Sequence, residues 1–228
     1  MKKRLCFILA FILIAICQAG CGKKDNGMKK VVLNEVAHSI FYAPQYVAIE
    51  MGYFKDAGID LVLETGFGAD KTMTALISGN ADIGFMGSES TIYAYAEGSK
   101  DYAVNFAGLT QRAGNFLVAR EKIDNFSWDM VKGKNVLGGR KGGMPQMVLE
   151  YILKANNIDP ASDLSIDQSV DFGLTAGAFS GNTEYDFTVE FEPGATSLEK
   201  EGKGYVVASL GVDSGYVPYT AYSAKKSY

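Results

Sequence analysis

The chain has 228 residues, 47% of them hydrophobic, with 22 Lys and Arg against 26 Asp and Glu and a formal net charge of −4. That composition excludes a disordered chain, which lacks the apolar residues for a core, and it disfavours nucleic acid, whose phosphates are held by clustered Lys and Arg. The cysteines are Cys6, Cys17 and Cys21 and the single histidine is His38, so the chain beyond residue 21 can assemble neither a disulfide framework nor a Cys/His nucleophile nor an ordinary zinc cluster. No catalytic set, metal or cofactor is expected.

In chain order, Lys2, Lys3 and Arg4 precede an unbroken apolar run over 5–17. The run is shorter than the roughly 20 residues a membrane-spanning helix needs, and its basic start is that of a secretory leader. Ala19, Gly20 and Cys21 follow and resemble a bacterial lipoprotein cleavage site, with Gln18 standing where such sites prefer Leu. The expectation is a lipoprotein signal peptide over 1–20, lipid on Cys21 anchoring the chain to the outer side of the membrane, and a polar tether over 21–29. From Cys21 onward 19 basic residues face 26 acidic ones, a net −7, which gives no broad attraction to an anionic membrane.

From residue 30 short β-rich runs alternate with helical stretches. Strands are expected at 31–36, 60–64, 82–85, 103–109 and 116–120. Helices are expected from Pro44 to near Gly52, from Asp70 to a stop at Gly79, and from a Ser88 cap to Gly98. A second unit starts near Gly133 with strands at 135–137, 164–168, 187–191 and 205–210. Its helices are expected after Pro145, with Met144, Met147, Val148, Tyr151 and Ile152 forming a core stripe, near 172–179, and at 195–201. Strict β-then-α alternation predicts an α/β fold with a mostly parallel sheet covered on both faces. The stretches 76–85 and 178–187 share a grammar in which Ser-Gly-Asn stops a helix and an Asp precedes a strand, which suggests two similar lobes.

Ligands of open α/β sheets bind beyond the carboxyl ends of the strands. That rule selects His38, Phe41 and Tyr42 after the first strand, Phe67 and Gly68 after the second, and Ser88 and Glu89 after the third. In the second unit it selects Gly142, Gly143, Glu190 and Glu192. The aromatic side chains can stack a flat ligand or simply pack. Gly68, Ser88 and the Gly142-Gly143 corner offer free N–H groups to an anion, or only cap and turn. Glu89 and Glu192 would repel an anion and accept from an amino-pyrimidine or another amine, which tilts the expectation toward a nitrogenous solute. The alternatives stay open: Glu89 can serve its helix dipole, Glu190 can face solvent, and Arg112, Arg120 or Arg140 can hold an anion.

Phe41-Tyr42-Ala43-Pro44-Gln45-Tyr46-Val47-Ala48, Met51-Gly52-Tyr53-Phe54-Lys55-Asp56-Ala57-Gly58-Ile59 and Leu76-Ile77-Ser78-Gly79-Asn80-Ala81-Asp82-Ile83-Gly84 resemble the solute-binding proteins of ABC-type importers for nitrate, alkanesulfonates, taurine and pyrimidine precursors of thiamine. Lys132-Gly133-Lys134-Asn135-Val136 resembles that family's passage into its second lobe, and Glu192-Pro193 its pocket-side Glu-Pro. The resemblance runs from about residue 30 to the end. It implies a two-lobed periplasmic-binding-protein-like fold of type II, with lobe 1 over 30–120, lobe 2 over 121–216 and a return strand to lobe 1 over 217–228. Since the family's chains continue past the strand that 218–223 resembles, it also implies that the C-terminal part of the fold is missing. The implied role is that of a monomer that traps a small molecule by hinge closure and presents it to a permease and ATPase. Two other roles compete: the related cytosolic enzyme that builds the thiamine pyrimidine, which relies on Cys- and His-rich chemistry this chain lacks, and a surface sensor without a transporter.

Overall fold

The structure is a computed structural model that describes residues 27–228 apart from Phe172. The expected leader, the lipidation site Cys21 and most of the tether fall outside the described residues.

Among the described residues, ten strands form two five-stranded sheets. The first has the order β2 (Ile59–Thr65), β1 (Lys29–Glu35), β3 (Ile83–Gly87), β10 (Thr220–Lys225), β4 (Ala103–Thr110), and the second the order β7 (Ser165–Asp167), β6 (Asn135–Leu137), β8 (Phe187–Phe191), β5 (Asn115–Ala119), β9 (Tyr205–Ser209). In lobe 1 the connections carry α1 (Ala43–Glu50), α2 (Tyr53–Asp56), α3 (Ala69–Ser78) and α4 (Glu89–Ala96). Lobe 2 adds α5 (Met144–Ala155), α6 (Thr175–Gly181), α7 (Gly194–Lys200) and α8 (Leu210–Asp213).

Local chemistry accounts for the boundaries. Pro44 sits in the first turn of α1 and Pro145 in that of α5, where a missing N–H costs nothing. Gly79 takes φ +80 at the end of α3 and its N–H closes on Ala75 and Leu76, the left-handed stop a glycine adopts freely. Alternation along the strands then splits the core between the two faces of each sheet. In lobe 1, Leu33 and Phe85 pack with Tyr42 on one face, while Met73, Leu76, Met86 and Ala94 cluster on the other. In lobe 2, Leu117 and Ala119 join Val136, Leu149 and Ile152, whereas Val118 turns to Leu137, Phe179 and Leu198.

Three expectations are corrected. The buried stripe of α5 is Met144, Val148, Leu149, Ile152 and Leu153, while Met147 and Tyr151 are exposed; the apolar positions allow either rotation, and packing against lobe 2 chose this one. The sheets are mixed rather than mostly parallel: β1 pairs parallel with β2 and β3, and β6 with β7 and β8, but β10 runs antiparallel to β3 and β4, and β5 to β8 and β9. The third concerns β5, which falls within the expected 30–120 lobe but belongs to the second sheet. One fact explains both sheet corrections. Thr220 opens β10 opposite Gly87, the last residue of β3, and Asn115 opens β5 opposite Phe191, the last residue of β8. Each strand that arrives from the other lobe therefore starts at the edge where the parallel strands end, and must run against them.

The two crossings are tied together. Arg112 Nη1 donates to the carbonyl of Gly211 at 2.8 Å, and the N–H groups of Val217 and Tyr219 donate to Gln111 and Thr110 at 3.0 and 3.1 Å. The lobes share an internal likeness as well. Asp82, just before β3, accepts from the N–H of Val32 at 2.8 Å, and Asp186, just before β8, accepts from that of Asn135 at 2.9 Å.

Candidate ligand-binding cleft

The carboxyl ends of β1, β2, β3, β6, β7 and β8 face a common space, and between the lobes they leave a cleft of about 1300 Å³. Of the residues selected from sequence, His38, Tyr42, Gly68, Glu89, Gly142, Gly143, Glu190 and Glu192 line it. The other three do not. Phe41 packs against Phe191 and Tyr219 with ring centroids at 5.6 and 5.7 Å and joins the cores of both lobes. Phe67 is largely exposed and takes a left-handed φ of +57. Ser88 makes no side-chain cap, and its hydroxyl donates to the carbonyl of Pro218 at 2.6 Å, bracing the return crossing.

Five carboxylates line the cleft, Asp70, Glu89, Glu97, Glu190 and Glu192, and three of them are among the residues selected from sequence. Glu89, at the start of α4, is only 3% exposed and its two oxygens make no hydrogen bond. Burial pushes its pKa up to about 7, against the lowering effect of its own N–H, that of Met144 at the start of α5 and the Ser90 hydroxyl, which approach it without good hydrogen-bond geometry. Glu190, on β8, is equally buried rather than solvent-facing, and burial likewise pushes it up to about 7. Its oxygens accept from Thr188 Oγ1 at 2.7 Å and Thr175 Oγ1 at 3.0 Å. Glu192 accepts from the N–H and hydroxyl of Thr196 at 3.1 and 2.9 Å, which caps the first turn of α7. A carboxylate has about four acceptor sites, so Glu192 keeps capacity for a further donor.

The candidate anion corners are partly occupied by the protein itself. The N–H of Gly142 donates to Gln146 Oε1 at 2.5 Å. Arg140 Nη2 lies 3.0 Å from Asp70 and its Nε 3.5 Å from Asp171. Arg112 and Arg120 are committed elsewhere: Arg112 to the hinge, and Arg120 to the carbonyls of Phe179, Asn182 and Tyr185 in lobe 2.

Sequence reasoning missed two groups. Glu35, at the end of β1, is fully buried and accepts from His38 Nδ1, Gln45 Nε2, Tyr46 Oη and Thr65 Oγ1 at 2.8 to 3.2 Å. It fixes His38 and Tyr46 on the lobe-1 wall. The signal was available, because a Glu ending an apolar strand requires partners. Tyr219 and Asn115 are the other group: both are buried where the chain crosses between lobes, with polar side-chain atoms that make no hydrogen bond. Among the described residues, no three or more His, Cys, Asp or Glu are grouped to hold a metal ion, and no helix is long and apolar enough to cross a membrane.

The family described as NMT1/THI5 like matches residues 40–205, most of the chain. The chain belongs to the NMT1/THI5-like family. Over 218 residues it is 50% identical to a Bacillus subtilis (strain 168) protein named "Putative binding protein YtlA", covering 96% of this chain and 64% of that one. The chain thus spans less than two thirds of this relative. Among solved structures, the alkanesulfonate-binding protein SsuA from Xanthomonas axonopodis pv. citri bound to MOPS superposes with a TM-score of 0.67 at 17% identity, covering 89% of this chain and 66% of that one. The nitrate-binding protein NrtA from Synechocystis PCC 6803 does so with a TM-score of 0.68 at 17% identity, covering 88% and 56%. At these identities the likeness establishes the fold: a two-lobed periplasmic-binding-protein-like architecture.

Proposed function

We propose that this chain is the extracytoplasmic solute-binding component of an ABC-type importer, held to the membrane by lipid on Cys21, and that its cleft takes a nitrogenous solute. The observation that carries the solute class is Glu89, a buried cleft carboxylate whose oxygens make no hydrogen bond of good geometry. Such a group is costly unless a ligand donor satisfies it. Glu190 and Glu192 add acceptors from the opposite lobe, while Arg140, the guanidinium nearest the cleft, is already paired with two aspartates. An aminopyrimidine or another N–H-rich solute fits this lining better than a sulfonate or nitrate. Hinge closure follows if the solute binds both walls at once, since a ligand shifts the lobes only by preferring the closed form.

A thermal-shift screen of aminopyrimidines, sulfonates, taurine and nitrate tests the solute class, because a ligand of the folded state raises the melting temperature. Aminopyrimidines are expected to stabilise the protein. Glu89→Gln is then expected to weaken binding by about 1.5–3 kcal/mol, a ten- to hundredfold rise in Kd. Stabilisation by sulfonates alone, with Glu89→Gln binding them as well or better, overturns the nitrogenous reading. Membrane fractionation of wild type and Cys21→Ser tests the anchor, and equal partition into the soluble fraction rejects it. Permease and ATPase genes beside this one are expected for an importer; their absence favours a surface sensor.

A further inference from the structure

We propose that Arg140 is a clasp across the mouth of the cleft, holding the two lobes together by seating its guanidinium in the corner that Phe67, Gly68 and Asp70 form on lobe 1. The residue belongs to lobe 2, in the connection between β6 and α5, and its partners on the far side lie about 70 residues earlier in the chain. Nη2 donates to Asp70 Oδ2 at 3.0 Å and Nη1 to the carbonyl of Phe67 at 3.4 Å.

The receiving corner is shaped for this guest. Gly68 has φ +152, and a Cβ there would overlap Arg140 Nη1 and crowd Asp70. Phe67 holds a left-handed φ of +57, uncommon for a bulky residue and retained only where the surroundings enforce it. The result is a carbonyl directed at the guanidinium and a gap where a side chain would block it. Asp70 stands in the first turn of α3. On its own lobe Arg140 keeps Asp171 within 3.5 Å of Nε, so opening removes the lobe-1 partners and leaves one carboxylate to hold the side chain ready. Tyr93 Oη, donating to Met147 Sδ at 3.2 Å, adds a second polar contact between the lobes. The clasp operates whichever solute the cleft takes, and it makes the balance between open and closed forms sensitive to salt, because its charges are partly exposed.

The test measures the distance between spin labels on the 228-residue chain, at Lys55→Cys in lobe 1 and Lys200→Cys in lobe 2, with Cys6, Cys17 and Cys21 replaced by Ser and no solute added. At low salt the wild-type clasp is expected to favour the short separation. Arg140→Ala and Asp70→Asn are each expected to lower the closed-to-open ratio about two- to fivefold, the range for an exposed ion pair. The double variant is expected to open no further than either single one, as for two residues that act through each other. Wild type in about 1 M NaCl, where screening acts within about 3 Å, is expected to match the variants. This salt arm needs no substitution, so a variant that fails to fold leaves the test intact. A wild-type distance distribution indifferent to salt overturns the clasp, as does one unchanged by both single substitutions.

Discussion

Gly68 and Arg140 come from different lobes, and the absent side chain of the first makes room for the guanidinium of the second. Gly68→Ala therefore meets two obstacles, a backbone conformation that L residues avoid and an overlap with Nη1. It is expected to cost about 1–3 kcal/mol. Gly142→Ala is the control, since Gly142 also has positive φ (+80) but open space around its Cβ position. Chemical denaturation of both should show the larger loss at Gly68, and equal losses would mean that backbone strain alone matters there.

The raised carboxylates fix a pH dependence. Burial pushes Glu89 and Glu190 up to about 7 in the folded state, above the ordinary glutamate value of 4.5, so between those limits the folded protein holds more protons than the unfolded chain. Stability from these two groups is fully present below about pH 4.5 and is lost as pH rises through 7. The melting temperature of the solute-free protein is expected to fall between pH 5 and pH 8 by an amount corresponding to about 2 kcal/mol or more. Glu89→Gln cannot ionise and should flatten the curve. A wild-type melting temperature that climbs over this range would contradict the assignment.

Glu35, at the end of β1, gathers four donors from α1, β2 and the segment between β1 and α1. Glu35→Ala leaves the buried Gln45 and the half-buried Tyr46 and Thr65 without this acceptor and is expected to cost about 3 kcal/mol. His38→Ala removes one exposed donor and is expected to cost about 1 kcal/mol. Denaturant titration of the two variants checks the difference.

Phe41 follows the first strand, where an aromatic ring can stack a ligand or pack, and its ring joins the two cores. Phe41→Ala is expected to cost about 3 kcal/mol of stability, because the ring fills space against Phe191, Tyr219 and the backbone of Gly114. Denaturation measures that loss, and calorimetry with an aminopyrimidine should show a smaller effect on affinity. A stable variant that no longer binds would return Phe41 to the site.

Elements whose cause is local were legible in the sequence. Gly79 stops α3, Pro44 and Pro145 start helices, β-branched runs become strands, and the stretches 76–85 and 178–187 show their shared helix-then-strand pattern in both lobes. The family resemblance extended this to a type II two-lobed fold, and the strand-end rule selected eleven residues, eight of which line the cleft. Tertiary structure alone decided the rest. The lobe of β5 and the direction of both β5 and β10 depend on where the chain crosses, which Arg112 and Gly211 fix across about a hundred residues. The burial of Glu190 and the rotation of α5 depend on what packs against them. Arg140 acquires its lobe-1 partners, Phe67 and Asp70, only when the lobes meet. Periodicity reports which face of an element is apolar, because that is set by neighbours in the chain; which partner covers that face, and which charges meet across a cleft, are set by residues far apart in sequence.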